Sequence, residues 1–203
     1  TAGTYTVSYL TSSNPCASTG TFSVTITDDE DGTFTYASAE YCKSGTNPTP
    51  TVTGTSGGTF SSTTGLNINA STGEIDIAAS TAGTYTVSYL TSSNPCAVTG
   101  TFSVTITEDD DGTFSYASAT YCETDSDPTP TVTGTSGGTF SATPSGLSIN
   151  ASTGAIDLDA STMGTYAVKY VTSSSICADS TTFSVTLTPT NTVSVNGAYD
   201  IST

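Results

Sequence analysis

Eight of the chain's 18 acidic residues lie in two runs, Asp28-Asp29-Glu30-Asp31 and Glu108-Asp109-Asp110-Asp111, each followed by Gly. Clustered carboxylate oxygens are the ligands a hard divalent cation takes, so Ca²⁺ at either run is the first chemistry to weigh. Neither run carries the downstream bidentate Glu of a calcium loop. A solvated, self-repelling hinge between neighbouring domains accounts for the same residues. No cofactor other than Ca²⁺ is suggested anywhere in the chain.

Paired carboxylates are a second place for chemistry. Glu74 with Asp76, and Asp157 with Asp159, stand two residues apart on expected strands, on one strand face. Such pairs do acid–base work on glycosides, but Glu74 becomes Ala155 in the later copy. The chain has no His, so its many Ser and Thr hydroxyls have no triad partner. The two lysines do not recur between copies, Lys43 answering to Glu123 and Lys169 to Ser88, which removes a Ser–Lys pair and a Lys–Asn isopeptide link. The chain therefore reads as no enzyme. Asn69-Ala70-Ser71 and Asn150-Ala151-Ser152 fit a glycosylation sequon, and Asp179-Ser180-Thr181 is a loose O-glycosylation candidate, although polar turn residues explain them as well.

Five cysteines stand at 16, 42, 96, 122 and 177. There is no CxxC spacing and no His, so a zinc site has no ligand set. Cys42 and Cys122 lie in an early strand, and Cys96 and Cys177 in a late loop. The expected disulfides are Cys42–Cys96 and Cys122–Cys177, with Cys16 pairing to a residue outside the chain. Disulfides imply an oxidising, extracellular setting. Each would close a loop worth about 4 kcal/mol of chain entropy.

These residues sit on a tandem repeat. GGTFSSTTGLNINASTGEIDIAASTAGTYTVSY at 57–89 returns as GGTFSATPSGLSINASTGAIDLDASTMGTYAVKY at 137–170, and its TAGTYTVSY portion also opens the chain. A period near 80 residues suits one small domain per repeat. The copies differ chiefly at EYCKSGTN (40–47) against TYCETDSD (120–127). The net charge is −16 with two basic residues, which removes nucleic acid as a partner and disfavours anionic membrane surfaces. No apolar stretch reaches the ~20 residues of a membrane span.

Thr, Ser, Gly, Val and Tyr with period-2 alternation predict strands. Tyr5, Val7 and Tyr9, then Phe22, Val24 and Ile26, mark a two-stranded hairpin with one apolar face. Eight strands are expected in the later copy, within FSYAS, ATYCE, PTVTGTS, GTFSAT, LSINAS, AIDLDA, TYAVKYVT and TFSVTLT. That spacing predicts an all-β chain of tandem immunoglobulin-like antiparallel β-sandwich domains. The expected order is half of such a domain at 1–27, an acidic linker at 28–33, and a whole domain at 34–107. A linker at 108–113, a second whole domain at 114–188 and the start of a divergent one at 189–203 follow. Tyr5, Tyr85 and Tyr166 take the place of a tyrosine corner.

With YCxxxxxPTPTVTG upstream and a late Cys, the GLxINASTGxIDLxAST-x-GTYxVxY segment resembles the immunoglobulin-like tandem repeats of very large bacterial cell-surface adhesins. The repeats of gliding, type IX-secreting bacteria are similar in this way. That resemblance implies export, cell-surface attachment, and a stalk or filament whose partners are neighbouring domains of the same long chain or other copies. The rival expectation is a glycan- or protein-binding module using the variable loops 43–47 and 123–127. A pilus-like subunit associating through exposed edge strands is a third.

Overall fold

The computed structural model describes residues 1–12, 15–91, 96–174 and 176–190. The strand expected in 192–203 lies outside the described residues. The chain forms two compact units, Thr1–Glu108 and Asp109–Thr203. No helix among the described residues is long and apolar enough to cross a membrane.

The first unit begins with a hairpin, β1 (Gly3–Leu10) and β2 (Thr19–Ile26), antiparallel with Tyr5 opposite Val24 and Val7 opposite Phe22. A sandwich follows, made of β3 (Phe34–Thr35), β4 (Glu40–Cys42), β5 (Thr51–Val52), β6 (Thr59–Ser62), β7 (Asn67–Ile68), β8 (Ile75–Asp76), β9 (Gly83–Leu90) and β10 (Thr99–Thr107). The second unit repeats it as β11 (Phe114–Ser115), β12 (Thr120–Cys122), β13 (Thr131–Val132), β14 (Thr139–Thr143), β15 (Ser148–Ile149), β16 (Ile156–Asp157), β17 (Gly164–Val171) and β18 (Ser180–Thr188). Each of the eight stretches expected in the later copy overlaps one of these strands, β17 and β18 starting one and two residues earlier than expected. The chain is all-β, built from tandem immunoglobulin-like β-sandwiches.

In the first sandwich the main sheet runs β4-β10-β9-β6, faced by the short ladders β3-β5 and β7-β8. The second has the order β12-β18-β17-β14 with ladders β11-β13 and β15-β16. Pairing is antiparallel except at one edge. There β4 runs parallel to β10, and β12 to β18.

Alternation explains why these residues make strands. Along β9, Tyr85, Val87 and Tyr89 point inward while Thr84 and Thr86 face solvent. Val104 and Ile106 of β10 and Phe60 of β6 close the same face from the neighbouring strands, and Phe34, Ile75 and Ile77 cover it from the opposite layer. Phe34 meets Phe60 edge-on, ring centres 5.4 Å apart at 87°; Phe114 and Phe140 repeat this at 5.3 Å and 87°. Such a pair adds about 0.5–1.5 kcal/mol beyond the area it buries.

Buried tyrosines also tie down the loops. The Tyr89 hydroxyl donates to the Thr55 carbonyl at 2.7 Å and accepts the Gly58 N–H at 2.9 Å. Tyr36 donates to the Gly73 carbonyl at 2.5 Å, and burial raises its pKa well above the usual phenol value. The hydroxyl of Tyr85 donates to the Thr81 carbonyl at 2.8 Å, that of Tyr166 to Thr162 at 2.7 Å, and that of Tyr5 to Thr1 at 2.9 Å.

The cysteines depart from the expected pairing. Cys16, Cys96 and Cys122 are free thiols, whereas Cys42 and Cys177 are disulfide-bonded. Register gives the reason. The parallel edge sets Cys42 opposite Thr107, at the far end of β10, while Cys96 precedes Thr99 at the hairpin end. Those eight residue steps span roughly 26 Å, against the ~7 Å Cα separation a disulfide tolerates. In the second sandwich Cys122 lies opposite Thr188, and Cys177 precedes Ser180. Neither Cys42–Cys96 nor Cys122–Cys177 can close.

Candidate functional site

Both sandwiches carry an open polar groove beside the short β7-β8 or β15-β16 ladder. In the first, Asn47, Asn67, Ile68, Asn69, Glu74 and Asp76 line a depression of about 290 Å³. In the second, Asp127, Ser148, Asn150, Ala155 and Asp157 are among the residues lining one of about 340 Å³. An amide or carboxylate thus recurs at three corresponding places.

Part of that polarity holds the fold. Asn47 Oδ1 accepts the Ile77 N–H at 3.0 Å, and Asp127 Oδ1 accepts that of Leu158 at 2.9 Å. Asn69 Oδ1 accepts the N–H groups of Ser71 and Thr72 at 2.9 and 3.1 Å, an Asx turn that Asn150 repeats on Ser152 and Thr153. Asp76 Oδ1 accepts the Ala79 N–H at 3.1 Å, and Asp157 that of Ala160 at 2.9 Å. Asn67 and Glu74 face the first groove from exposed positions. Sugar hydroxyls, which both donate and accept, match such a lining. Asn47 and Asn67 escaped the sequence reading; the Asn67-Ile68-Asn69 alternation was the available signal.

The carboxylate pairs are placed as surface groups. Asp157 and Asp159 are exposed, as is Glu74, while Asp76 is half-buried and braces its turn. The sequon residues Asn69 and Asn150 are exposed. Asp179 Oδ2 accepts the Gly112 N–H at 2.9 Å.

The variable loops lie nearby and spend polar atoms on their own anchoring. Lys43 Nζ donates to the Ala78 carbonyl at 3.0 Å and also to that of Ser80. In the other copy Asp125 Oδ2 accepts the Cys122 N–H at 2.7 Å. Charge differences between the copies therefore alter both surface and loop bracing.

The acidic runs are divided in use. Asp28, Asp29, Glu108 and Asp109 are exposed. The N–H of Glu30 donates to the Cys96 carbonyl at 3.3 Å, and that of Asp110 to Cys177 at 3.1 Å. Asp31 is built into its sandwich: its carbonyl accepts the Thr55 N–H at 2.7 Å, and its N–H donates to Thr55 Oγ1 at 3.1 Å. Its carboxylate accepts the Thr33 hydroxyl and, at 2.9 Å, the Thr33 N–H. Asp111 does the same with Thr113 and Thr135. The Thr33 and Thr113 hydroxyls, then their N–H groups, hold both carboxyls below the usual value. Among the described residues, no three carboxylates of either run converge. Asp110 Oδ2 is buried with no hydrogen-bond partner among the described residues.

No family model matches the chain, and no curated protein matches it. Among solved structures it is similar to a SusE-like surface located polysaccharide binding protein from the heparin utilisation locus of Bacteroides thetaiotaomicron. That match has 16% identity and a TM-score of 0.34, over 83% of this chain and 36% of the other. It is also similar to mouse clustered PcdhgC3 EC1-3, at 10% identity and TM-score 0.37 over 94% and 77% of the two chains. A protocadherin gammaB7 EC3-6 cis-dimer structure matches at 12% and 0.38, over 91% and 59%. The chain thus spans about a third of the first of these proteins, and likenesses this distant carry no functional argument.

Proposed function

We propose that the chain is a structural and adhesive repeat segment of an extracellular bacterial surface adhesin or filament, a stalk whose sandwiches supply reach. The observation that carries this is the contrast between core and surface in the two copies. Phe34, Tyr36, Phe60, Ile75, Val87 and Tyr89 recur as Phe114, Tyr116, Phe140, Ile156, Val168 and Tyr170, all buried. Around them Lys43, Asn67 and Glu74 become Glu123, Ser148 and Ala155. A scaffold kept while its surface changes suits a spacer. Each eight-residue strand such as β9 covers roughly 26 Å, and repetition multiplies that length. With two lysines and no arginine, a stalk of this sequence resists trypsin-like proteases. Attachment to the cell surface and export by a gliding, type IX-secreting bacterium belong to the same proposal. Electron microscopy of the intact surface protein tests it: a beaded thread is expected, and a compact globule overturns the stalk.

The recurrence of the polar groove in both sandwiches favours a second reading, glycan binding. Replacing Asn67 and Glu74 by Ala leaves the turn-bracing hydrogen bonds of Asn47, Asn69 and Asp76 in place. With Ser148→Ala added to strip the second groove, whose Ala155 already lacks the carboxylate, glycan-array binding that survives removes both grooves as the binding surface.

A further inference from the structure

Residues 1–27 and 81–107 differ at one position in 27, Ser18 against Val98, yet their environments are opposite. On β1-β2, Tyr5, Val7, Tyr9, Phe22 and Ile26 are 43%, 56%, 72%, 70% and 50% exposed. Their counterparts Tyr85, Val87, Tyr89 and Ile106 are 6% exposed or less, and Phe102, the counterpart of Phe22, is partly buried. What covers the second face is visible: the front half of the sandwich, residues 34–77, which precedes its hairpin in the chain. It lays β4 parallel to β10 with Cys42 opposite Thr107, and the other sandwich sets Cys122 opposite Thr188.

Thr27 is the counterpart of Thr107 and Thr188. A front half docked on β1-β2 in the same register brings its cysteine opposite Thr27. A free thiol waits there: Cys96 Sγ lies 2.7 Å from Thr27 Oγ1.

We propose that β1-β2 is the receiving half of a third sandwich. Its apolar face takes a further front half of the same repeat, and Cys96 captures that segment's cysteine as a disulfide. The occupant is a segment N-terminal to the hairpin on a longer polypeptide, because both complete sandwiches place the front half before its hairpin. Joining the two thiols releases two protons and two electrons. Exchange with a small-molecule disulfide accepts them: one thiolate displaces half of that disulfide, and the other thiolate displaces the remaining half. The late cysteine thus locks one sandwich to the one before it, a staple that within-sandwich pairing cannot supply. This goes beyond the stalk reading and does not depend on it.

The test fuses residues 34–80, carrying Thr46→Ser as a mass label that tells its cysteine peptide from that of Cys42, ahead of Thr1 of the full chain, in a buffer of reduced and oxidised glutathione. Peptide mapping without reductant is expected to find the added cysteine joined to Cys96. Iodoacetamide labelling of Cys96 is lost, and binding of an apolar dye falls. With Cys96→Ser the dye signal still falls but the link is absent, which separates docking from capture. Val7→Asp with Phe22→Asp abolishes both. The proposal is overturned if the added cysteine bonds to Cys16, or if Cys96 stays fully labelled while the dye still binds. A link found only in covalent dimers overturns the same-chain source and assigns a second copy instead.

Discussion

One sequence occupies two environments in this molecule. The strand Gly83–Leu90 lies in the centre of a four-stranded sheet, whereas the identical Gly3–Leu10 has, among the described residues, a single neighbour, β2. Both make the same hairpin register, Tyr5 opposite Val24 and Tyr85 opposite Val104. Alternation and the turn therefore specify the hairpin, and the front half specifies burial. The difference separates what local sequence encodes from what a nonlocal partner adds, and paired substitutions at matched positions measure it.

The largest contrast is expected for Tyr89→Ala against Tyr9→Ala. Tyr89 is 1% exposed and packs against Phe60 with ring centres 4.6 Å apart; Tyr9 is 72% exposed. Truncating the buried ring costs about 3–5 kcal/mol, a large part of what holds a small domain together. Truncating the exposed ring costs under about 0.5 kcal/mol. Urea unfolding followed by tyrosine fluorescence compares the two, and equal losses would mean that the hairpin face is covered.

Gly100→Ala against Gly20→Ala comes next. A Cβ on Gly100 would lie 1.9 Å from the Gly32 carbonyl oxygen, while one on Gly20 meets nothing within 4 Å among the described residues. The first crowds backbone against backbone, at about 1–3 kcal/mol. The second replaces a strand glycine and is neutral or stabilising by up to about 1 kcal/mol. Thermal unfolding of the two variants reads the sign directly.

That glycine also shows where sequence reading stops. Strand positions were legible because inward and outward residues alternate, as in Tyr85, Val87 and Tyr89. The paired cysteines were not. An early strand and a late loop look equally able to meet until the parallel edge puts Cys42 opposite Thr107. Such register arises between segments far apart in sequence, and no local pattern encodes it. Asp31-Gly32-Thr33 was hidden in a similar way. It reads as the end of a charged hinge, but the close approach of Gly32 to Gly100 and the bonds from Asp31 to Thr55 make it part of the sandwich.

A smaller contrast is expected in pH dependence. Asp31 and Asp111 have carboxyls held below 3.8 by the Thr33 and Thr113 hydroxyls. A lowered folded-state value contributes stability above the unfolded-state value, which is lost as pH falls through the folded one. Each sandwich should therefore weaken below about pH 3.8, the ordinary aspartate value. Thr33→Val removes the first donor and should flatten that acid limb for the first sandwich alone. Tyr36 and Tyr116 act at the other end. Burial raises both well above 10.0, so the folded state keeps protons that the unfolded state gives up, and stability should fall as pH rises past 10.0. Tyr36→Phe should flatten that alkaline limb; a limb of unchanged slope would assign the loss to other groups.

The smallest effect is expected from calcium, and here the two acidic runs are compared. In each, one carboxylate is engaged by a threonine and the two leading acids face solvent. They differ at the third acid: among the described residues Asp110 Oδ2 is buried with no hydrogen-bond partner. A buried carboxylate oxygen left unpaired is costly, so a cation has more to gain at 108–111 than at 28–31. Millimolar calcium should raise the unfolding temperature of the second sandwich by about 2–4 °C, about 0.5 kcal/mol for a domain this size, and leave the first unchanged. Asp110→Asn should abolish the rise. Calorimetry with calcium and then a chelator decides it, since two superimposed traces would leave both runs as solvated charge.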